Sequence, residues 1–145
     1  MKLIKALEAD LGISIEVPGL DFPVRVGGKV DRIDHYNGQM RIIDYKTGKS
    51  PKPGWEEKAL FQLRVYALLY WKEKNVIPKL LQLIYLGDSS VLKNTPTEQE
   101  LVATEKSLMK IADSIRKAIE TDTWMPRKSK LCDWCSFKSI CPAHN

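Results

Sequence analysis

The sequence predicts an α/β domain built on a mixed sheet. Two alternating apolar runs flank Asn37-Gly38, the dipeptide of a tight β-hairpin. A strongly apolar helical stretch over residues 55–74 follows, and then an apolar strand over 79–86. A hairpin, a helix and a further strand in that order suggest a mixed sheet with helices packed on it.

Along the chain, residues 2–10 have helical apolar spacing (Leu3, Ile4, Leu7) and predict a short helix. Ser14-Ile15-Glu16-Val17 alternates and predicts a strand ended by Pro18-Gly19. Residues 23–35 alternate over a longer run, with Gly27-Gly28 marking a bulge or a close backbone approach. Met40 to Tyr45 is the returning strand of the hairpin. Residues 46–54 carry Gly48, Pro51, Pro53 and Gly54 and are loop by composition. The 55–74 helix is apolar on most faces, so it should be largely buried. Thr97-Glu98-Gln99-Glu100 fits a capping box and opens an amphipathic helix to about Glu120, striped by Leu101, Leu108, Ile111, Ile115 and Ile119. Residues 124–145 have no period. The organisation expected is a core over 1–124 with a cysteine-rich tail over 125–145 packed on it.

At 145 residues the chain has the size of one ordinary domain. A composition of 43% hydrophobic and 28% charged residues excludes a disordered chain or a fibre. No apolar run approaches the roughly 20 residues of a membrane-spanning helix. The N-terminal stretch carries Glu8 and Asp10 and no small-residue cleavage site, so no signal peptide is read there. A net charge of +5 leans mildly toward polyanions. Three cysteines cannot complete a disulfide framework, and with no export signal they point to the reducing cytoplasm.

The hairpin carries the candidate chemistry. Asp44 and Lys46 are two apart and share a strand face, and a paired strand can bring Asp31 beside them. Two acids and the Tyr45 carbonyl would make a hard-oxygen site suited to Mg²⁺ or Mn²⁺. The plainer alternative is a set of solvated charges at strand ends. Gln62 and Tyr66 lie one helical turn apart and share a face; by themselves they read as a solvated amide and a core ring. Asp34 reads as structural, pairing with Arg32 or Arg25.

Three segments together carry a resemblance. They are Gly27-Gly28-Lys29-Val30-Asp31-Arg32-Ile33-Asp34, Arg41-Ile42-Ile43-Asp44-Tyr45-Lys46-Thr47-Gly48, and Gln62-Leu63-Arg64-Val65-Tyr66. In this order they resemble the nuclease domain of the PD-(D/E)XK superfamily, in its RecB-like branch. That branch includes the RecB and AddB nuclease domains and the CRISPR-associated RecB-type exonucleases. The resemblance implies a restriction-endonuclease-like core and metal-dependent hydrolysis of DNA. Asp31 and Asp44 would be metal ligands together with the Tyr45 carbonyl, and Lys46 the catalytic lysine. Gln62 and Tyr66 would lie beside the metal and the DNA backbone. DNA is the implied partner, with a helicase or other nuclease-complex subunit alongside.

Cys132, Cys135 and Cys141 give C-x₂-C-x₅-C. With His144 they could form a Cys₃His zinc site. The spacing also resembles the C-terminal part of the iron–sulfur staple of AddB-type and CRISPR-associated nucleases, a four-iron four-sulfur cluster whose fourth cysteine lies upstream. This chain has no upstream cysteine. Arg127, Lys128, Lys130 and Lys138 surround the tail and would suit phosphates or plain solvent.

Family members usually carry a further His or Glu before the first strand. Glu8 and Glu16 are the nearby substitutes here. The sequence therefore reads as the C-terminal portion of a longer nuclease domain, weak alone, with an uncovered sheet surface that a second copy would cover. Two other readings stay open: an inactive nuclease-derived module that binds DNA or a partner protein, and a zinc-stabilised nucleic-acid-binding module.

Overall fold

The computed structural model describes residues 3–144, with side chains from residue 8 onward. The chain divides into two compact units, Met1–Ala112 and Asp113–Asn145. The first holds β1 (Leu3–Ile15), β2 (Val24–Tyr36), β3 (Gln39–Lys46), α1 (Glu57–Lys74), β4 (Leu80–Tyr85), β5 (Ser90–Asn94) and the start of α2 (Glu98–Glu120). The second holds the end of α2 and two short 3₁₀ turns, Lys130–Trp134 and Lys138–Ile140.

Among the described residues the sheet has five strands in the order β1-β2-β3-β4-β5. β3 and β4 run parallel, with Asp44 opposite Leu83 and Lys46 opposite Tyr85; the other neighbours are antiparallel. A parallel pair needs a crossover, and α1 supplies it. This is the α/β mixed sheet expected from the sequence.

The hairpin forms as expected. Asn37 and Gly38 both have positive φ, 47° and 73°, the type I′ geometry that suits twisted strands. α1 runs without Gly or Pro and ends at Asn75, whose left-handed backbone lets its N–H bond the Trp71 carbonyl at 2.7 Å. Leu63, Tyr66, Ala67, Leu68, Leu69 and Tyr70 are buried, which matches the largely buried helix the sequence implied. The capping box is real: Glu100 N–H donates to Thr97 Oγ1 at 3.2 Å, and Thr97 N–H donates to Glu100 Oε2 at 2.8 Å. Lys72 of α1 meets Glu105 of α2 at 2.8 Å.

Two expectations are corrected. The helix read over 2–10 is strand: β1 runs from Leu3 through Ile15 and pairs with β2, with a register shift between Ile4 and Ala6. Ala9, Leu11, Ile13 and Ile15 alternate with Asp10, Gly12 and Ser14, and pairing with β2 rewards that period over the shorter helical spacing. The strand read at 14–17 is the end of this longer one. β5, which the sequence reading missed, is a short half-exposed edge strand with little apolar alternation.

Gly27-Gly28 is a close approach and not a bulge, since pairing with Leu11 and Gly12 runs through unbroken. A Cβ on Gly28 would sit 2.7 Å from Tyr66 Cε1. On Gly27 its nearest neighbour would be the Leu11 carbonyl oxygen, 3.3 Å away. The Tyr66 ring is buried and cannot swing aside cheaply. Gly28→Ala should therefore destabilise the chain by about 1–3 kcal/mol through overpacking, and Gly27→Ala by clearly less. Urea unfolding of both variants checks this; equal midpoints for Gly28→Ala and wild type would refute the contact.

Candidate active site

β2 changes face at Asp31. Val30 and Ile33, three residues apart, both join the same buried core, so strict alternation fails between them. The β2–β3 ladder ends at the same place, with Arg32 opposite Ile43. Beyond it the Tyr45 N–H donates to Asp31 Oδ2 at 2.8 Å, so a side chain takes over where ladder pairing stops. The carbonyls of Met40 and Lys46 accept bonds from Lys79 and Leu86, at the two ends of β4. Even-numbered residues of β3 thus turn their peptide groups toward β4, and Tyr45 turns its N–H and carbonyl the other way, toward Asp31.

Asp44 is buried beside this point. Lys46 Nζ lies 2.7 Å from Asp44 Oδ2, an ion pair without hydrogen-bond alignment, and that oxygen has no hydrogen-bond partner. Lys46 Nζ donates instead to Gln62 Oε1 at 2.9 Å, and Gln62 Nε2 donates to the Tyr66 hydroxyl at 2.9 Å. A continuous chain, Asp44–Lys46–Gln62–Tyr66, therefore links β3 to one face of α1. Gln62 is a part-buried member of this relay, not a solvated amide.

Tyr85 is a neighbour that the sequence reading did not single out. It is the parallel partner of Lys46 and is buried, and burial pushes its phenol up. Nothing local marks it; only the register of β3 on β4 brings it there.

Asp34 is buried and structural, as expected, but its cross-strand partner is Arg41 and not Arg25. Arg32 adds a fork, with bonds of 2.7 and 3.1 Å. Burial alone would raise the Asp34 carboxyl; the two guanidiniums outweigh it and hold it below the usual carboxylate range. Glu8 lies on β1 between the pairs Leu7–Arg32 and Ala9–Val30, level with Asp31, but its exposed carboxylate bridges Lys29 at 3.2 Å. Glu16 follows Ile15, which pairs with Val24, seven residues along β2 from Asp31, or about 23 Å at ~3.3 Å per residue. The structure does not bring Glu16 to the site.

The cysteines are not brought together either. Among the described residues no three His, Cys, Asp or Glu side chains are grouped to hold a metal ion, and Cys132, Cys135 and Cys141 are free thiols. Cys132 closes its own turn, its Sγ accepting the Ser129 N–H at 3.4 Å. Cys135 and Cys141 end the two separate 3₁₀ turns. No helix among the described residues is long and apolar enough to cross a membrane.

Comparison with known proteins bears on this arrangement. The chain is 28% identical over 137 residues to the Gene 69 protein of Mycobacterium phage L5, covering 92% of this chain and 43% of that protein. It superposes on the crystal structure of SSO0001 with a TM-score of 0.62 and 23% identity, covering 97% of this chain and 61% of that one. The second likeness speaks for the fold alone. The chain thus spans less than two thirds of either relative. The profile of the PD-(D/E)XK nuclease superfamily matches residues 4–142. A match of that extent takes in the hairpin, the helix after it and the tail, and this chain belongs to the PD-(D/E)XK nuclease superfamily.

Proposed function

We propose that this chain is a Mg²⁺- or Mn²⁺-dependent DNA nuclease of the RecB-like branch, hydrolysing phosphodiester bonds from strand ends in DNA repair, recombination or defence. The observation that carries the reading is Asp44 Oδ2, a buried carboxylate oxygen with no hydrogen-bond donor beside an ammonium. The Lys46 ammonium already offsets its charge, and the lone pairs that no donor fills are what the atom can offer a divalent ion. The residues present fit a hard divalent ion: Asp44 and Asp31 would hold it by carboxylate and Tyr45 by carbonyl. When bound, the ion would supply charge neutralisation at the phosphate and a water acidic enough to attack it.

The protein's own groups do the positioning. Lys46 has three ammonium donors. Gln62 takes one and Asp44 draws the group by charge, which leaves donor capacity for a phosphate oxygen or the attacking water. Tyr66 fixes Gln62, so Lys46 is aimed before the substrate arrives. Gln62 and Tyr66 thus act on substrate mainly by orienting Lys46. The Gln62–Tyr66 relay also supports the RecB-like assignment. No step of this reading passes through the cysteine tail.

Calorimetric titration with Mn²⁺ should show binding to wild type and to Lys46→Ala, and loss of binding in Asp44→Ala; equal affinity in all three would sink the metal site. Linear DNA should be degraded in Mn²⁺ while covalently closed circles survive. Lys46→Ala should cut the rate by about 10²–10³, the usual cost of one transition-state donor. Nicking of circles at the linear rate would remove the exonuclease half of the proposal. A thiol titration of the native chain should count three reactive cysteines. Fewer than three, together with bound iron or zinc on elemental analysis, would show that the tail closes around a metal after all.

A further inference from the structure

The loop between β3 and α1 leaves Lys46 and returns to the helix that holds Gln62, so both of its ends lie at the candidate site. Lys49 and Lys52 are exposed, and Trp55 is 66% exposed. An indole displayed to solvent in a basic loop is costly in water and suited to an unpaired base. The acids nearby are already engaged. Glu56 accepts the Gly54 N–H at 2.7 Å, and Glu57 pairs with Arg64 at 2.9 Å. The basic charge of the loop is therefore left facing outward.

The display is built. Trp55 N–H bonds the Lys52 carbonyl at 3.0 Å, and φ of 87° at Gly54 after Pro53 makes a type II turn. Upstream, Asp88 accepts bonds from the Ser50 N–H at 3.0 Å and the Ser50 hydroxyl at 2.7 Å, while its other oxygen takes the Ser90 N–H and hydroxyl. The Gly87 N–H bonds the Gly48 carbonyl at 3.1 Å. The loop is stapled to the β4–β5 turn on one side and closed by its own turn on the other. α1 begins at Glu57, five residues from Gln62, or about 7.5 Å of helix.

We propose that this loop is a single-stranded DNA platform, on which Trp55 stacks against an unpaired base while Lys49 and Lys52 hold the flanking phosphates. It rests on the nuclease reading and narrows its substrate to an unpaired strand, because a duplex keeps its base faces stacked inside.

Binding is read without cleavage, in EDTA, by anisotropy of a labelled oligo(dT) and of a duplex of equal length. Wild type should prefer the single strand. Trp55→Ala should weaken that binding about tenfold, the low end of one lost base stack, and leave the duplex unchanged. Trp55→Phe should restore most of it, since the ring face is what binds. Lys49→Ala with Lys52→Ala should lower the salt slope by about 1.4, or about 0.7 for each phosphate contact. Unchanged single-strand binding in Trp55→Ala, or an equal loss on duplex, overturns the proposal. Binding through Trp55 with no Mn²⁺-dependent cleavage would instead fail the nuclease reading and leave the platform standing.

Discussion

Helix α1 can lie where it does because Gly28 has no side chain. The Tyr66 ring fills the space a Cβ would need, and Leu69 packs next to it. That contact sets the height of α1 above β2, and with it the reach of Gln62 to Lys46 on β3. A larger residue at position 28 would lift the ring, and the tyrosine hydroxyl would carry Gln62 with it. Buried van der Waals contact on one strand and a polar relay to the next are thus parts of one constraint. The parallel β3–α1–β4 crossover supplies the other half of it. It brings α1 over the sheet and aligns Tyr85 with Lys46.

Much of this was legible because its signals are local. Asn37-Gly38 needs two positive φ values, and few other dipeptides accept them. Thr97 and Glu100 are spaced to exchange bonds within one turn. The Asp31, Asp44, Lys46, Gln62 and Tyr66 set stands out through the resemblance of three segments taken together, since spacing alone leaves Gln62 and Tyr66 as a solvated amide and a core ring. The failures were non-local. Leu3, Ile4 and Leu7 show helical spacing, but β2 offers a thirteen-residue partner, and pairing decides what a short window cannot. Arg41 pairs with Asp34 because the hairpin register puts them opposite. Tyr85 reaches Lys46 through a register set thirty-nine residues along the chain.

The tail shows the same limit from the other direction. C-x₂-C-x₅-C is a ligand spacing, yet spacing says only that thiols can meet. Here the 3₁₀ turns containing Cys132 and ending at Cys135 and Cys141 bury none of their residues, and Leu131, Trp134, Phe137 and Ile140 stay exposed. Local hydrogen bonds shape these turns, with the Cys132 sulfur taking the Ser129 N–H and the Cys135 and Cys141 N–H groups closing the turns they end. In the first unit the acids of β2 and β3 are held where pairing puts them.

Asp34 and Asp44 sharpen the point, since they are the same residue type at nearly the same burial. Burial opposes the charge of both. Around Asp34 two guanidiniums fill the acceptor sites, and the ionised carboxylate becomes a closed strut between β2 and β3. Around Asp44 one ammonium approaches off-axis, and an oxygen is left without a donor. A fully bonded carboxylate has little left to offer a cation, whereas an under-bonded one gains by taking it. The difference lies in the partners. Arg32 reaches Asp34 as a two-bond fork and Arg41 adds a third bond from the next strand, while Lys46 makes its aligned bond to Gln62. The α1 relay therefore aims the lysine through Gln62 and Tyr66, while the Asp44 oxygen beside the ammonium keeps lone pairs that no donor fills.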